Sequence, residues 1–567
     1  MKLTRIGIHN FRGIHDAQMT LADYSILVGP NNAGKSTVID AVRVFYEKGI
    51  KFASAQDAPK VAASDKESWV ELTFRLTDAE SESLAEEYAT SDQLLHLRKY
   101  LTSTSKTWST GTIYARLQNG ELSENAFYGA KNVQSGKIGE LIFIPAVSKV
   151  DDHTKLTGPS ALRDLVSGIM ADVVEGSDAY QTLTASVQSF AGGVMKMTNE
   201  DDQSLAGFEA DLNELLAPWQ TKFNLNLGTP STAEIIKSML DWTVTEEQCG
   251  SPQDISYFGS GFQRHFIYSL IRLAAKYMPT KVSNKAKDFT PRLNLVLFEE
   301  PEAFLHPPQQ EELGRGLATL AESEDWQVVC STHSSHFVSR NMDRIPSIVR
   351  LRRSEGVITA HQVDEGTWKA IVDANQVVNA IAVKHPSLKK KLAEDDTRAE
   401  MEAVRYALWL NPDRASMFFA NHVLLVEGPT EVALLNRLVD DGHVELPAGV
   451  HVLDCLGKLN IHRFMNLLGA MAVTHSVLHD DDDDADWHAE ANQLISDSAN
   501  AYTVGISRVP GDLETYLGLP PAGAPHRKPQ HVMYCYADGQ VDEVRLSQFC
   551  ELTRSCMCES SAGALPT

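Results

Sequence analysis

Ser25-Ile-Leu-Val-Gly29-Pro-Asn-Asn-Ala-Gly34-Lys-Ser36-Thr-Val-Ile-Asp-Ala-Val-Arg-Val-Phe45 is the stretch whose reading decides the fold. Ser25 to Val28 is a short apolar strand, and Val38, Ile39, Ala41, Val42 and Phe45 open a helix. The loop between them has the form Gly29-x-x-x-x-Gly34-Lys35-Ser36. Small residues let the backbone wrap so that its N–H groups face a phosphate, and the helix N-terminus adds partial positive charge. Lys35 then reaches the β- and γ-phosphates and Ser36 a Mg²⁺ ion, with Asn31, Asn32 and Thr37 completing the candidate contacts. A glycine turn that binds nothing is the plain alternative. The strand, loop and helix in this order argue against it.

Bulk properties narrow the class. A length of 567 residues predicts about two to four domains. Hydrophobic content of 43% and charged content of 22% are ordinary for a globular protein. A formal charge of −24 argues against a generally basic nucleic-acid coat. It leaves room for an acidic site that meets phosphate through cations. No apolar run reaches membrane-spanning length, and the start, Met1 to Gly13, lacks the apolar segment of a secretion signal. Seven scattered cysteines, an odd number, read as free thiols, because Cys556-Met-Cys558 has no ordered second pair to make a zinc site. Together these features predict a cytoplasmic protein.

Outward from the loop, the chain divides into five segments. Residues 1–150 read as a first ATPase lobe: Lys2 to His9 alternates like a strand, Asn10-Phe-Arg-Gly13 turns, and Trp69 to Leu76 and Glu140 to Val147 are further strands. In residues 151–250 helical periodicity takes over, with Leu162, Leu165, Ile169 and Val173 on one face and Phe208, Leu212, Leu215 and Leu216 on another. This insert reads either as a dimerisation arm or as a layer covering the lobe. Residues 251–375 form a second lobe, 376–415 a charged helical linker, and 416–567 a C-terminal domain.

The second lobe supplies partners for the loop. Gly259-Ser260-Gly261-Phe262-Gln263 precedes an apolar helix. Leu293 to Phe298 is a buried strand ending in Glu299 and Glu300, and two carboxylates there are expensive unless a cation is near. Glu299 suits the shell of a Mg²⁺ ion and Glu300 the polarising of an attacking water. Trp326 to Thr332 is a further strand leading to His333, placed to contact a γ-phosphate. With Asn10-Phe-Arg-Gly13, the 29–36 loop, the 259–263 turn, Leu297-Phe-Glu-Glu-Pro-Glu-Ala-Phe-Leu-His-Pro307 and Ser331-Thr-His-Ser-Ser-His-Phe337, the chain resembles the ABC-type ATPases of the SMC and RecF class. It departs from most of them in having Glu299 where an Asp is usual. The resemblance implies ATP sandwiched between the phosphate loop of one subunit and the Ser260, Gly261 and Gln263 turn of another, hence a homodimer or higher homo-oligomer.

In the C-terminal domain an apolar run to Val426 ends in Glu427-Gly-Pro-Thr-Glu431. Val450 to Leu453 leads to Gly457-Lys458, and Ala472 to Leu478 leads into Asp480-Asp-Asp482-Asp-Asp484. Strand–helix repeats of this length make a parallel sheet whose C-terminal edge gathers loop residues into one crevice. Glu427, Asp480 and Asp482 then meet as a hard-cation site for Mg²⁺ or Mn²⁺. An acidic run alone is usually a solvated face. Its position directly after a buried strand favours the site.

These motifs resemble a Toprim domain, a Rossmann-like α/β module, and an ABC-type ATPase followed by Toprim is the architecture of the OLD (overcoming lysogenization defect) nucleases. The resemblance implies metal-dependent cleavage of DNA, often in antiphage defence, including systems in which an OLD protein is paired with a retron reverse transcriptase and its nucleic acid. It assigns Glu427, Asp480 and Asp482 to a first metal, Glu431 and Glu514 (in Pro510-Gly-Asp-Leu-Glu514) to a second, and Lys528 to the transition-state phosphate, with Arg527 as a competitor. A DNA-binding structural or repair ATPase with an inert Toprim module is the alternative. A topoisomerase or primase is a further one, but no tyrosine-bearing DNA module or zinc ribbon is recognisable.

Overall fold

A computed structural model describes residues 1–129, 137–146, 177–194, 197–199, 203–219, 221–224, 243–247, 250–277, 289, 291–338, 342–385, 388, 399–482 and 487–558. The chain forms two compact units, one of Met1–Ala146 with Lys285–Thr567 and one of Val147–Asn284.

Three sheets build the larger unit. The first is antiparallel, in the order β2-β1-β4-β5-β6-β7, from β1 (Lys2–Phe11), β2 (Ile14–Thr20), β4 (Ser68–Arg75), β5 (Leu94–Thr102), β6 (Ile113–Arg116) and β7 (Leu122–Ala126). Phe11 pairs with Ile14, so Arg12, at positive φ, and Gly13 make the β1–β2 turn, while Asn10, expected in that turn, lies in β1. The second sheet has the order β14-β13-β3-β12-β11-β8: β3 (Tyr24–Val28), β8 (Glu140–Ile144), β11 (Asn294–Glu299), β12 (Trp326–Ser331), β13 (Ile348–Ser354) and β14 (Val357–Gln362). All its pairings are parallel except the β13–β14 hairpin. Strands 3, 8, 11 and 12 are near-continuous apolar runs, as a sheet covered on both faces requires. β8 stops at Ile144, since Pro145 has no N–H to give to the ladder.

The helix Lys35–Phe45 follows β3 and buries Val38, Ile39, Val42 and Phe45 in a core shared by both sheets. Leu3, Ile6, Val70 and Phe74 reach that core from the first sheet, and Leu297, Val329 and Leu351 from the second. Because β3, β11 and β12 run in parallel, the phosphate-type loop, Glu299 and His333 all emerge at one sheet edge.

The third sheet is fully parallel, in the order β16-β15-β17-β18: β15 (His422–Val426), β16 (Val450–Asp454), β17 (Thr474–Asp480) and β18 (Thr503–Val509). Helices Pro429–Asp440, Lys528–Ala537 and Glu543–Met557 cover one side with Leu434, Leu438, Val532 and Phe549. β17 starts at Thr474, two residues later than the sequence pattern suggests, so Asp480 closes the strand instead of following it. Of the charged linker, the helix Ala399–Trp409 is described, and its buried Glu402 pairs with Arg463 at 3.0 Å.

The smaller unit holds helices Asp178–Val194, Leu205–Leu216 and Ser260–Tyr277 and a short ribbon of β9 (Val244–Thr245) and β10 (Pro252–Gln253). Leu162, Leu165, Ile169 and Val173 lie outside the described residues. The helix expected around Phe208 to Leu216 forms, but Phe208 and Leu215 on its apolar face are exposed. Cys330, Cys455, Cys535, Cys550, Cys556 and Cys558 are free thiols, and Cys249 lies outside the described residues. Among the described residues no helix is long and apolar enough to cross a membrane.

Candidate functional sites

The loop after β3 is shaped by two glycines. Gly29 sits at φ +136°, and a Cβ there would come within 2.3 Å of the Leu351 carbonyl oxygen. Gly34, at φ +104°, faces the Ile358 side chain just as closely. Both positions therefore need glycine. The buried Lys35 Nζ donates to the carbonyls of Gly29 (2.8 Å) and Pro30 (3.0 Å) and lies 3.4 Å from His333 Nδ1. Burial pulls its pKa down to about 8 despite Glu300 and Glu302 nearby. Ser36 hydrogen-bonds the Glu299 carboxylate, whose pKa burial raises. Asn31 is exposed, Thr37 is half-buried, and Asn32 Oδ1 accepts from Arg353 Nη1 at 3.0 Å. Arg12 of the β1–β2 turn reaches Asp40, on the same helix as Lys35, at 2.7 Å.

Glu300 adopts φ +43° and its N–H donates to the Ser331 carbonyl at 2.8 Å, linking the ends of β11 and β12. Its Oε1 lies 3.5 Å from His333 Nε2. Burial and the charge of Lys35 lower the His333 pKa, keeping the ring neutral. Sequence reasoning missed Glu302: the His333 N–H donates to its Oε1 at 2.6 Å, which fixes the histidine backbone over the loop. Glu302 stands inside the quoted Glu-Glu-Pro-Glu run, but nothing in the run tells which carboxylate turns inward. Ser260, Gly261 and Gln263 begin the helix Ser260–Tyr277 of the smaller unit, where Gln263 Nε2 donates to the Phe258 carbonyl at 2.7 Å.

At the C-terminal edge of the third sheet, Glu427, Asp480 and Asp482 each offer an oxygen within 4.8 Å of the others. Glu427 follows β15 and its Oε1 accepts the Asp480 N–H at 2.9 Å, so the neighbouring strand ends are locked together. Asp480 Oδ2 accepts from the Leu513 N–H at 3.3 Å. Asp482, at φ +33°, turns back toward the pair. Asp481 turns the other way, to Asn492 and Arg508. This alternation separates the D-x-D pair from the residue between them; Asp483 and Asp484 lie outside the described residues.

Glu431, in the first turn of the helix Pro429–Asp440, accepts from the Gly428 N–H at 2.9 Å and feels the charges of Glu427 and Glu514. Glu514 is buried; its Oε2 pairs with Lys528 Nζ at 3.1 Å, while its Oε1 has no partner among the described residues. Lys528 opens the helix Lys528–Ala537. Arg527, its competitor, is the residue just before that helix. Burial pushes Glu427 and Glu431 up to about 7 and Asp480 up to about 9, with mutual repulsion adding to it. Crowded, buried carboxylates and an orphaned carboxylate oxygen are the donor set of a hard divalent cation, so the residues fit such an ion.

Lys458 was missed as a site residue. Its buried Nζ donates to the Asp480 carbonyl (2.6 Å) and to Asp482 Oδ2 (3.1 Å) and lies 3.8 Å from Glu427 Oε1. The signal was present in Gly457-Lys458 directly after β16: Gly457, at φ +106°, turns the chain so that its lysine enters the cluster.

The chain matches the AAA ATPase domain family over residues 1–125 and 81–338, and the overcoming lysogenization defect protein-like TOPRIM domain over residues 418–482. It is 24% identical over 494 residues to the Old nuclease of Escherichia phage P2, covering 85% of this chain and 77% of that protein. It is 21% identical over 493 residues to the endonuclease GajA of Bacillus cereus (strain VD045), covering 85% and 75%. An OLD nuclease of Thermus scotoductus is 28% identical over 197 residues, 34% of this chain and 31% of that protein.

Proposed function

We propose that this chain, which belongs to the OLD family of nucleases through its AAA ATPase and Toprim domains, is an ATP-controlled, divalent-metal-dependent DNA endonuclease. The observation that carries this reading is the meeting of Glu427, Asp480 and Asp482 at one sheet edge, on a chain whose other parallel sheet gathers Lys35, Ser36, Glu299 and His333. Glu427, Asp480 and Asp482 would hold a first Mg²⁺ or Mn²⁺, and Glu431 and Glu514 a second; such ions would supply an activated water and charge stabilisation for phosphodiester hydrolysis. Lys528, half-exposed beside Glu514, offers its ammonium to the negative charge that grows on the phosphate. At the nucleotide edge Gly29, Asn31, Asn32, Gly34 and Thr37 shape the phosphate cradle. Lys35 reaches the phosphates of ATP, Ser36 and Glu299 hold its Mg²⁺, and Glu300 with His333 orients the attacking water.

The turn of Ser260, Gly261 and Gln263 serves the loop of a second copy, so the active form is a homodimer or larger homo-oligomer. A place in antiphage defence, with a partner component such as a retron as one arrangement, follows from the family resemblance of its motifs. The deciding test is cleavage of supercoiled plasmid in Mg²⁺ or Mn²⁺, with and without ATP, beside Glu427→Ala and Lys35→Ala. Cleavage lost in Glu427→Ala supports the assignment, and a changed ATP response in Lys35→Ala supports the control. Intact plasmid in every metal, with ATP still hydrolysed, would leave the chain a structural ATPase.

A further inference from the structure

Among the described buried cations outside the two sites, Arg350 has the largest fully buried side chain. Arg350, on β13, is 2% exposed, and among the described residues no carboxylate pairs with it. Its guanidinium instead donates to four backbone carbonyls. Nε reaches Phe418 (3.1 Å) and Nη2 reaches Ala420 (3.0 Å), while Nη1 reaches both Met471 (3.2 Å) and Ala472 (2.9 Å). Phe418 and Ala420 lie just before β15, and Met471 and Ala472 just before β17. Ala472 is held at φ +52°, a conformation that alanine rarely adopts. One rigid fork thus binds the starting ends of the two adjacent strands whose far ends carry Glu427 and Asp480. Five residues of strand span roughly 17 Å, so the fork and the carboxylates stand at opposite ends of the same short ladder, which is buried beyond its first residues.

The strand that carries Arg350 also borders the nucleotide loop. Arg350 pairs in register with Val28, the last residue of β3 before Gly29. The next residue, Leu351, presents the carbonyl oxygen against which Gly29 is packed. Three residues along, Arg353 donates to Asn32 inside the loop. Arg352 adds a stack on Tyr502, next to the start of β18. β13 is therefore in contact with the phosphate loop along one flank and, through Arg350, with both carboxylate-bearing strands.

The structure assigns Arg350 as a positioning residue that transmits the state of the nucleotide loop to the spacing of Glu427 and Asp480. A shift of β3 and its loop moves β13, and the planar guanidinium carries that shift to β15 and β17 together. Lysine keeps the charge but, as a point donor, cannot hold two pairs of carbonyls in one plane. This assignment rests on the ATP-controlled reading above, but its test does not need cleavage.

The experiment is hydrogen–deuterium exchange of the full-length protein with and without a slowly hydrolysed ATP analogue and Mg²⁺, followed in peptides covering 418–428 and 471–482. Wild type is expected to change its exchange rate in both segments by about fivefold or more, the factor that a coupling of about 1 kcal/mol gives. Arg350→Lys is expected to lose that change while binding the analogue within about twofold of wild type, and any ratio of cleavage with to without ATP is expected to fall toward one. Wild type that binds the analogue without a change in either segment overturns the assignment, whatever the variant does. So does Arg350→Lys that keeps the full response. Coupled exchange with no cleavage in any metal would sink the nuclease reading and leave this one standing. If Arg350→Lys does not fold, Arg353→Ala, on the exposed end of the same strand, is expected to weaken the response by severing β13 from Asn32, and an unweakened response counts against the assignment.

Discussion

Removing one carboxylate from the acidic cluster is expected to make the metal-free protein more stable. Like charges within 4.8 Å of one another, at an effective dielectric of about 20, would repel by about 3.5 kcal/mol or more, so near neutral pH the folded protein instead carries the cost of keeping Asp480 protonated. Asp480 faces both Glu427 and Asp482, and Lys458 offsets part of the repulsion. We take about 2 kcal/mol as the net relief from Asp480→Asn near neutral pH. Asparagine keeps an oxygen for the Leu513 N–H. The pH dependence has a definite sign. Burial and crowding raise Asp480 from 3.8 to about 9 and Glu427 and Glu431 from 4.5 to about 7. A carboxyl raised on folding supports the fold fully below its unfolded pKa, and that support is lost as pH rises through the folded value. Metal-free wild type should therefore weaken from about pH 4 to about pH 9, and Asp480→Asn should weaken less. For the larger unit, of about 430 residues, 2 kcal/mol corresponds to roughly 2 °C in melting temperature. Calorimetric melts in chelator should show that gap at about pH 7.5 and close it near pH 4. Mn²⁺ should raise wild type well above its chelated value and the variant much less. A variant that melts below wild type in chelator at pH 7.5, or that gains as much from Mn²⁺, would refute the crowding argument.

Three other perturbations separate roles that geometry assigns. Lys458→Met removes the cation held between Asp482 and Glu427 and should cost about 3 kcal/mol in chelator, as loss of one partner from a buried ionic group does; denaturant unfolding with and without Mn²⁺ reads it, and Mn²⁺ should recover most of the loss. Glu302→Ala should lower ATP turnover about 10- to 100-fold by freeing the His333 backbone, the worth of one charged hydrogen bond, with ATP affinity within about threefold; an unchanged turnover would make the contact structural only. Lys528→Met should cost about 1–2 kcal/mol in chelator, less than Lys458→Met because the lysine is 42% exposed although Glu514 is buried, yet cut cleavage about 100-fold; a larger stability loss with cleavage intact would reverse the assignment.

Much of this architecture was legible in the chain because both sites lie at the ends of apolar strands. Ser25 to Val28, Leu295 to Phe298 and Leu424 to Val426 are buried throughout, and a carboxylate or glycine after such a run announces a sheet edge. The boundaries moved by one or two residues where pairing and turn chemistry decide: Phe11 still pairs with Ile14, so β1 runs on to Phe11 before Arg12 turns the chain at positive φ, and Ala472 at positive φ delays β17. The direction of individual acids was less legible. Five consecutive aspartates offer no pattern, and only the backbone turn at Asp482 sends Asp480 and Asp482 one way and Asp481 the other.

Buried cations were the least legible part, for a physical reason. Lysine and arginine are usually exposed, so a sequence reader assigns Lys458 and Arg350 to the surface by default. Each is buried because the fold sets oxygen atoms around it that lie far apart in the chain. Lys458 meets Asp480 and Asp482 across two strands, and Arg350 meets carbonyls 68 to 122 residues away. Carbonyl acceptors leave no trace in composition, because every residue carries one. A carboxylate partner can be searched for in a sequence, whereas a fork onto four carbonyls exists only once two sheets have packed. The two sites are thus written in side chains, and the connection between them is written largely in backbone.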